Sequence, residues 1–520
     1  MNNPEDFKHF VEFNDWLQLW PELTLALGAI LLLLVDLFRK PTSGSALTGN
    51  LAIGFQALLL GYHLLDYLVL RTENYIARDT FADMLSQNFR GEIMRSFFLL
   101  ASLLVSVIAH NYLRRKRLPS GEFHHLSMLA TAGLMILVQS SHFVMLFVAL
   151  ETVAICLYVL VGFRRESAKS LEAGFKYLVF GALSSSLLLF GIVLLYGVSA
   201  NPESWGCKPV ADFADPFSFT YLAVFLEDNP DNFVLRAGVV LILSGIAFKV
   251  GAAPFQIWVP DVYHGSPMPV VAFLAVSSKA AGFFVLLNLV NGPFVGIADF
   301  LEPLLGFVAS LTILFGNLAA CSQRNLKRLL GLSGVAHAGY LLVAVIGSMH
   351  FGGDSDRAVW AVFFYLFVYL LASFATFGVM SLFDPPDDSE HEFQHFEALG
   401  EKNPFLAFVL TCGICSLAGI PPFAGFIAKL LLFFVAFQAE LFLSLAIMVL
   451  GVAISIYYYF GWLREVLFHP RPKFSDEEEN ISDFWRGISL GPLLKFTFLL
   501  LTLATIAFGL WQGPIGDVFQ

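Results

Sequence analysis

The sequence predicts an all-α polytopic membrane protein of about 14 transmembrane helices, two of them broken inside the membrane. Three observations carry this. Of 520 residues, 57% are hydrophobic and only 14% charged, with a mean hydropathy of +0.72; a soluble domain carries about 25% charged residues. The apolar residues gather into runs of about 20, the length that crosses a bilayer. Two of these runs are interrupted by proline and glycine close to a lysine: FKVGAAPFQIWVPDVYHGSPMP at 248–269 and AGIPPFAGFIAK at 418–429. An ammonium at bilayer depth costs about 2.5–3.5 kcal/mol on insertion scales. Each backbone group freed by a break must also find a partner in protein or water. A chain that carries both burdens twice predicts a duplicated transporter fold with an ion path at its breaks.

Taken in order, the spans are 17–38, 50–70, 94–113, 123–141, 142–163, 171–198, 236–258, 267–290, 297–322, 326–348, 357–383, 404–438, 440–463 and 491–511. The fourth and fifth meet almost without a loop at Ser140, Ser141 and His142, and the twelfth is long because it contains its own break. Cationic side chains favour the cytoplasmic loops. Loops that follow odd-numbered spans carry 17 of the 30 Lys and Arg residues, and the other side, with both termini, carries 8. The bias fits this count of spans and puts both termini outside.

The net charge of −11 lies largely in two acidic stretches, 384–401 and 476–483, and no basic face suits nucleic acid. The five cysteines form no disulfide framework. Cys412 and Cys415 have metal-ligand spacing, but without a second pair and inside an apolar run they read as packing. The same lack of clustered cysteines argues against an iron–sulfur centre. The N-terminal stretch MNNPEDFKHFVEFNDWLQLW is acidic and polar, unlike a secretory signal or an Arg-rich transit peptide.

With cations in the first three residues of a span counted as loop residues, five remain inside spans, all of them lysines: Lys176, Lys249, Lys279, Lys429 and Lys495. An arginine stays charged, whereas a desolvated lysine can give up its proton, which proton carriage requires. Glu151 lies nine residues past His142, about 14 Å along a helix and near the middle of a ~30 Å core. With Lys249 it forms a candidate pair; the plainer alternative is a static ion pair that fixes helix packing. Lys279 and Lys429 lie too deep to reach the surface by extending their side chains. Lys176 reads equally as a relay or as a lysine snorkelling to the cytoplasmic surface, and Lys495 reads as snorkelling. His337 is deep in the tenth span. A lone buried histidine is usually a satisfied core group, but among buried lysines a neutral imidazole also suits a proton relay. His264, after the first break, reads as a proton entrance or a hydrated surface group. Glu22, Asp36 and Asp66 lie near span ends, and His63 with Asp66 reads as structural or interfacial.

Several runs together resemble the antiporter-like membrane subunits of respiratory complex I, most closely the subunit N (NADH dehydrogenase subunit 2) family. They are LETVAICLYVLVG at 150–162, SLEAGFKY at 170–177, FKVGAAPFQIW at 248–258, PDVYHGSP at 260–267, Ser278 with Lys279, SGVAHAGY at 333–340 and SLAGIPP at 416–422. The resemblance implies two inverted five-helix repeats, each containing a broken helix. These are 123–290 and 291–464, after a three-helix segment at 1–122 and before an acidic loop and C-terminal helix at 465–520. It further implies that Glu151 and Lys249 are the coupled pair of a first half-channel. Lys279 is then a central carrier, His337 a link, and Lys429 the site facing the opposite side.

The implied activity is proton translocation coupled to NADH:quinone oxidoreduction in other subunits. No cofactor is expected in this chain; flavin, iron–sulfur clusters and quinone belong elsewhere in the complex. The implied partners are antiporter-like subunit M, subunit K and the lateral helix of subunit L, within a bacterial inner membrane. The alternative is a subunit of a multisubunit Na+/H+ antiporter or membrane-bound hydrogenase. An inert scaffold sits poorly with so many buried titratable groups.

Overall fold

Helix occupies each of the fourteen segments picked out by hydropathy, apart from the two breaks and residues 67–70, which lie outside the described residues. The computed structural model describes residues 16–38, 46–66, 78–210, 215–351, 356–383, 392–397, 399–468, 488 and 490–511. The acidic runs 384–391 and 476–483, and both chain termini, lie outside the described residues. The helices are α1 Trp20–Leu37, α2 Ala46–Leu65, α3 Phe89–Lys116, α4 Ser120–Leu137, α5 Phe143–Val161, α6 Ala168–Ser199, α7 Phe219–Asp228, α8 Phe233–Val250, α9 Trp258–Gly265, α10 Met268–Phe273, α11 Lys279–Val290, α12 Ala298–Cys321, α13 Leu326–His350, α14 Asp356–Leu382, α15 Pro404–Ala418, α16 Ala424–Gln438, α17 Phe442–Leu467 and α18 Pro492–Leu510.

Among the described residues, 11 helical stretches are long and apolar enough to cross a membrane, and the twelfth span appears as the two shorter apolar helices α15 and α16. The chain is a multi-pass membrane protein. Two features escaped the hydropathy pattern. Helix α7 has ten residues, too short to span. Strands Arg78–Thr80 and Leu85–Gln87 pair as a three-residue antiparallel ribbon.

The helix ends follow from local chemistry. Asn88 caps α3, its side chain accepting from the Gly91 amide at 2.8 Å. Arg114, Arg115 and Lys116 close the same helix, where cations meet the negative end of the helix dipole. Asn325 caps α13 by accepting from the Arg328 amide at 3.1 Å. Pro404 opens α15, a position where its missing N–H costs nothing.

The chain divides into two compact units: residues 1–163, 177–249 and 280–300, and residues 164–176, 250–279 and 301–520. In the first, small residues let helices approach closely. A Cβ on Gly245 would lie 2.6 Å from Leu188 Cβ, and Ser184 Oγ donates to the Gly245 carbonyl at 2.9 Å. This seats α6 against α8. In the second, α13 is buried on nearly every face from Leu326 to Ser348, the position of a helix at the centre of a bundle. It therefore displays Ser333, His337 and Tyr340 to neighbours on all sides.

The first unit also corrects the reading that buried span cations are all lysines. Arg95, counted with the outer loops, sits in the second turn of α3 and is only 2% exposed. Its Nε and Nη2 donate to the two oxygens of Glu22 at 2.7 and 2.5 Å, and its Nη1 to Glu92 at 2.7 Å. Gln139 donates to Glu22 at 2.7 Å, and His63 lies 3.7 Å from Glu92. The planar guanidinium fork matches a carboxylate two bonds at a time, so α1 and α3 are tied at one point, with Gln139 just past α4 joining them.

Candidate functional site

The two breaks are built alike. Gly251 (φ +75°) follows Lys249 by two residues, and Gly419 (φ +80°) ends α15. Only glycine enters this left-handed region without a side-chain penalty. At the first break the Ala253 amide donates to Thr312 Oγ1 at 2.9 Å and the Phe255 amide to the Ala252 carbonyl at 2.8 Å. At the second, the Gly419 and Ile420 amides both return to the Cys415 carbonyl at 3.0 Å. The interrupted backbone is thus satisfied by protein, as a membrane interior demands.

In the first unit, Lys249 occupies the last turn of α8, its ammonium 5.9 Å from the centre of the Phe248 ring. The Glu151 charge acts on it, yet no ion pair joins them among the described residues. Glu151 instead accepts a short hydrogen bond from Ser185 Oγ of α6. Glu151 and Lys249 are both half-buried. Glu151 stands on the outward stripe of α5, between Val148 (54% exposed) and Ile155 (60% exposed). The carboxylate therefore has a serine to rest on and an ammonium within electrostatic reach, an arrangement that can exist paired or apart.

In the second unit two buried lysines, Lys279 and Lys429, are held by backbone carbonyls. Lys279 follows a π-helical turn, Leu274–Ser278, a feature frequent at functional sites. Its ammonium donates to the Gly334 carbonyl and faces the Tyr369 ring at 5.5 Å. A Cβ on Gly334 would sit 3.1 Å from Lys279 Nζ and 3.2 Å from Tyr369 Oη, so the glycine opens the space where ammonium and phenol meet. Lys429 donates to the Leu417 and Ala418 carbonyls at 2.9 and 2.8 Å and faces the Tyr340 ring at 5.6 Å. Those carbonyls belong to the last turn of α15, which the break leaves without helical partners and which forms the negative end of its dipole. The break creates the cation's seat.

His337 lies in the same unit, 4% exposed. Its Nδ1 meets Tyr365 Oη at 2.5 Å and its Nε2 meets Tyr459 Oη at 3.5 Å; Tyr459 Oη in turn meets Ser333 Oγ. A cavity of about 10 Å³, room for roughly one water molecule, is lined by His337, Tyr365, Tyr369, Ser416 and Lys429 among others. Asn317 extends the polar interior, bonding to Tyr340 Oη at 3.1 Å and Tyr458 Oη at 3.2 Å.

Lys176 stands apart from these groups. It is 35% exposed and paired with Asp261 at 2.6 Å and Glu172 at 2.7 Å, while Asp261 also holds Arg328 at 3.0 Å. His264 is half-buried, and its backbone carbonyl accepts from Lys327 at 3.4 Å. The cysteine pair Cys412 and Cys415 is free and buried in α15. Among the described residues, no group of three or more His, Cys, Asp or Glu side chains converges as a metal site.

Hydropathy reading missed the tyrosines, because a tyrosine in an apolar span passes for core. The signal present was spacing: Tyr365 and Tyr369 are one turn apart on α14, and Tyr458 and Tyr459 stand in a YYY run.

Residues 140–455 match the family model described as NADH:quinone oxidoreductase/Mrp antiporter, transmembrane. The chain is 48% identical to the NADH-quinone oxidoreductase subunit N 1 of Opitutus terrae over 99% of both chains. It resembles a chain of respiratory complex I from Thermus thermophilus (TM-score 0.72, 28% identity, 95% of this chain and 97% of that one). It also shares the fold of a chain of the Mrp complex from a Dietzia species (TM-score 0.76, 18% identity, 96% of each). Matched by family model and full-length relative alike, the chain belongs to the antiporter-like membrane subunits of NADH:quinone oxidoreductase, in the subunit N family.

Proposed function

We propose that this chain is the proton-translocating subunit N of a membrane-bound NADH:quinone oxidoreductase, moving protons through Glu151, Lys249, Lys279, His337 and Lys429. Lys176, on the ion-paired rim, is a further relay candidate. The observation that carries this reading is the pair of helix breaks, each with a left-handed glycine and a lysine beside it, in a chain so similar to a subunit N. The chain itself is a non-redox translocase, and the flavin, clusters and quinone sit in other subunits. Redox energy released there shifts charge along the membrane arm. Each charge state of a buried lysine is stabilised in one conformation more than in the other, and that difference couples the two events.

The repeats are assigned to 123–290 and 291–464, flanked by 1–122 and 465–520. The membrane is the bacterial inner membrane, with both termini on the periplasmic side, as the basic-residue asymmetry indicates. The partners are subunit M, subunit K and the lateral helix of subunit L. The outward position of Glu151 supports a protein neighbour on α5, since a carboxylate at that depth is not left to hydrocarbon.

The test is purification of the tagged chain from its own membranes in mild detergent, with mass spectrometry and an NADH:quinone activity assay. Co-elution with flavin and iron–sulfur subunits, with activity, is the expected result. Co-elution with antiporter-like subunits alone, without NADH oxidation, would assign the chain to the Mrp-type antiporters whose fold it shares.

A further inference from the structure

Resting on that reading, we propose that Tyr365 and Tyr459 make His337 a two-sided proton relay, with Ser333 as the fourth member of the chain. Three helices bring these groups together: α13 supplies Ser333 and His337 one turn apart, α14 supplies Tyr365 and α17 supplies Tyr459. Both ring nitrogens of the imidazole thereby face a phenol, at 2.5 and 3.5 Å. A buried histidine with a merely structural role is typically fixed in one tautomer by a carbonyl or carboxylate. Two hydroxyls do the opposite, because each can turn to donate or to accept. The other groups around the ring are Tyr340 and Tyr369, and the charges acting on it are those of Lys279 and Lys429.

The transfer balances bond for bond. Tyr365 lines the cavity shared with Lys429. A proton given up by the Lys429 ammonium reaches Tyr365 Oη, whose own proton passes to His337 Nδ1. The imidazolium releases its Nε2 proton to Tyr459 Oη, Tyr459 passes its hydroxyl proton to Ser333 Oγ, and Ser333 passes its own to an accepting water. Lysine ends as the amine, water as hydronium, and the imidazole in its other tautomer. A ring flip or passage in the reverse direction restores it. The Nε2 side, at 3.5 Å, is longer than the 2.7–3.2 Å of a good N–H···O bond. It is the loose link of the chain.

The experiment uses the assembled complex in membrane vesicles, with NADH oxidation by an artificial acceptor as the measure of complex present. Tyr365→Phe and Tyr459→Phe keep ring volume and remove one hydroxyl each. Each is expected to lower proton pumping roughly tenfold, below the ~10²–10⁴-fold that a positioned acid or base contributes directly, because each hydroxyl is one link of a chain. Each should also enlarge the solvent deuterium effect on pumping, which a packing role would not change. Combining either with His337→Gln should lower pumping no further than His337→Gln alone, because the groups act in series. Wild-type pumping and isotope effect in both tyrosine variants, with His337→Gln impaired, would overturn the tyrosine assignment only. Wild-type pumping in His337→Gln would overturn the role of His337 on which it rests. If Tyr365→Phe fails to assemble, Tyr459→Phe and its isotope effect decide the matter.

Discussion

Replacing Arg95 by leucine is expected to deplete the assembled protein from membranes while leaving its synthesis unchanged. The substitution strands Glu22 and Glu92, each 2–3% exposed, without the cation that both address. Breaking a buried ion pair from one side costs about 3–5 kcal/mol, a large share of the ~5–15 kcal/mol that holds a typical domain together. Removing one of the two carboxylates as well is cheaper, because one buried charge fewer is then left without its cation. Arg95→Leu combined with Glu22→Leu should therefore recover part of the lost protein, as read by native gels and thermal unfolding in detergent. Normal amounts and an unchanged Tm for Arg95→Leu would show that the cluster does not hold these helices together.

Gly425→Ala is expected to be comparably severe for a different reason. A Cβ at Gly425 would lie 1.7 Å from the Ser416 carbonyl oxygen, so α15 and α16 would have to separate. The Gly425 amide would also lose Ser416 Oγ, which it reaches at 3.2 Å. Forcing atoms into a packed interior costs about 1–3 kcal/mol and sometimes more, and this clash is with backbone. Lys429 sits one turn further along the same helix, so its bonds to the Leu417 and Ala418 carbonyls would stretch with the movement. The variant should assemble poorly, and what assembles should pump slowly. Wild-type assembly and pumping would contradict the close approach.

The sequence showed those parts of the site where charge conflicts with an apolar surrounding. Lys249, Lys279 and Lys429 stand out because each interrupts a run that is otherwise apolar, and the breaks stand out because proline and glycine cannot continue a helix. What those lysines rest on was hidden. The Leu417 and Ala418 carbonyls and the Gly334 carbonyl are main-chain atoms that every sequence contains, and only folding aims them. Ser185, the partner of Glu151, lies 34 residues away. Asp261, the partner of Lys176, lies 85 residues away. Arg95 was hidden by its position near a span end, where a cation usually reaches solvent. It is buried because Glu22, 73 residues earlier, meets it there. The membrane-spanning helices, unlike the short α7, were legible throughout, since twenty apolar residues in a bilayer have few alternatives to a helix.

Proton pumping by the assembled complex carrying Lys249→Ala, with Glu151→Ala alongside, tests the central claim most directly. Vesicles holding each variant are energised with NADH and the pH gradient followed, with the amount of complex fixed by NADH oxidation to an artificial acceptor. The account predicts complexes present at near-normal levels whose pumping is reduced severalfold or more. Full pumping by either assembled variant would contradict a proton path through the Glu151 and Lys249 pair.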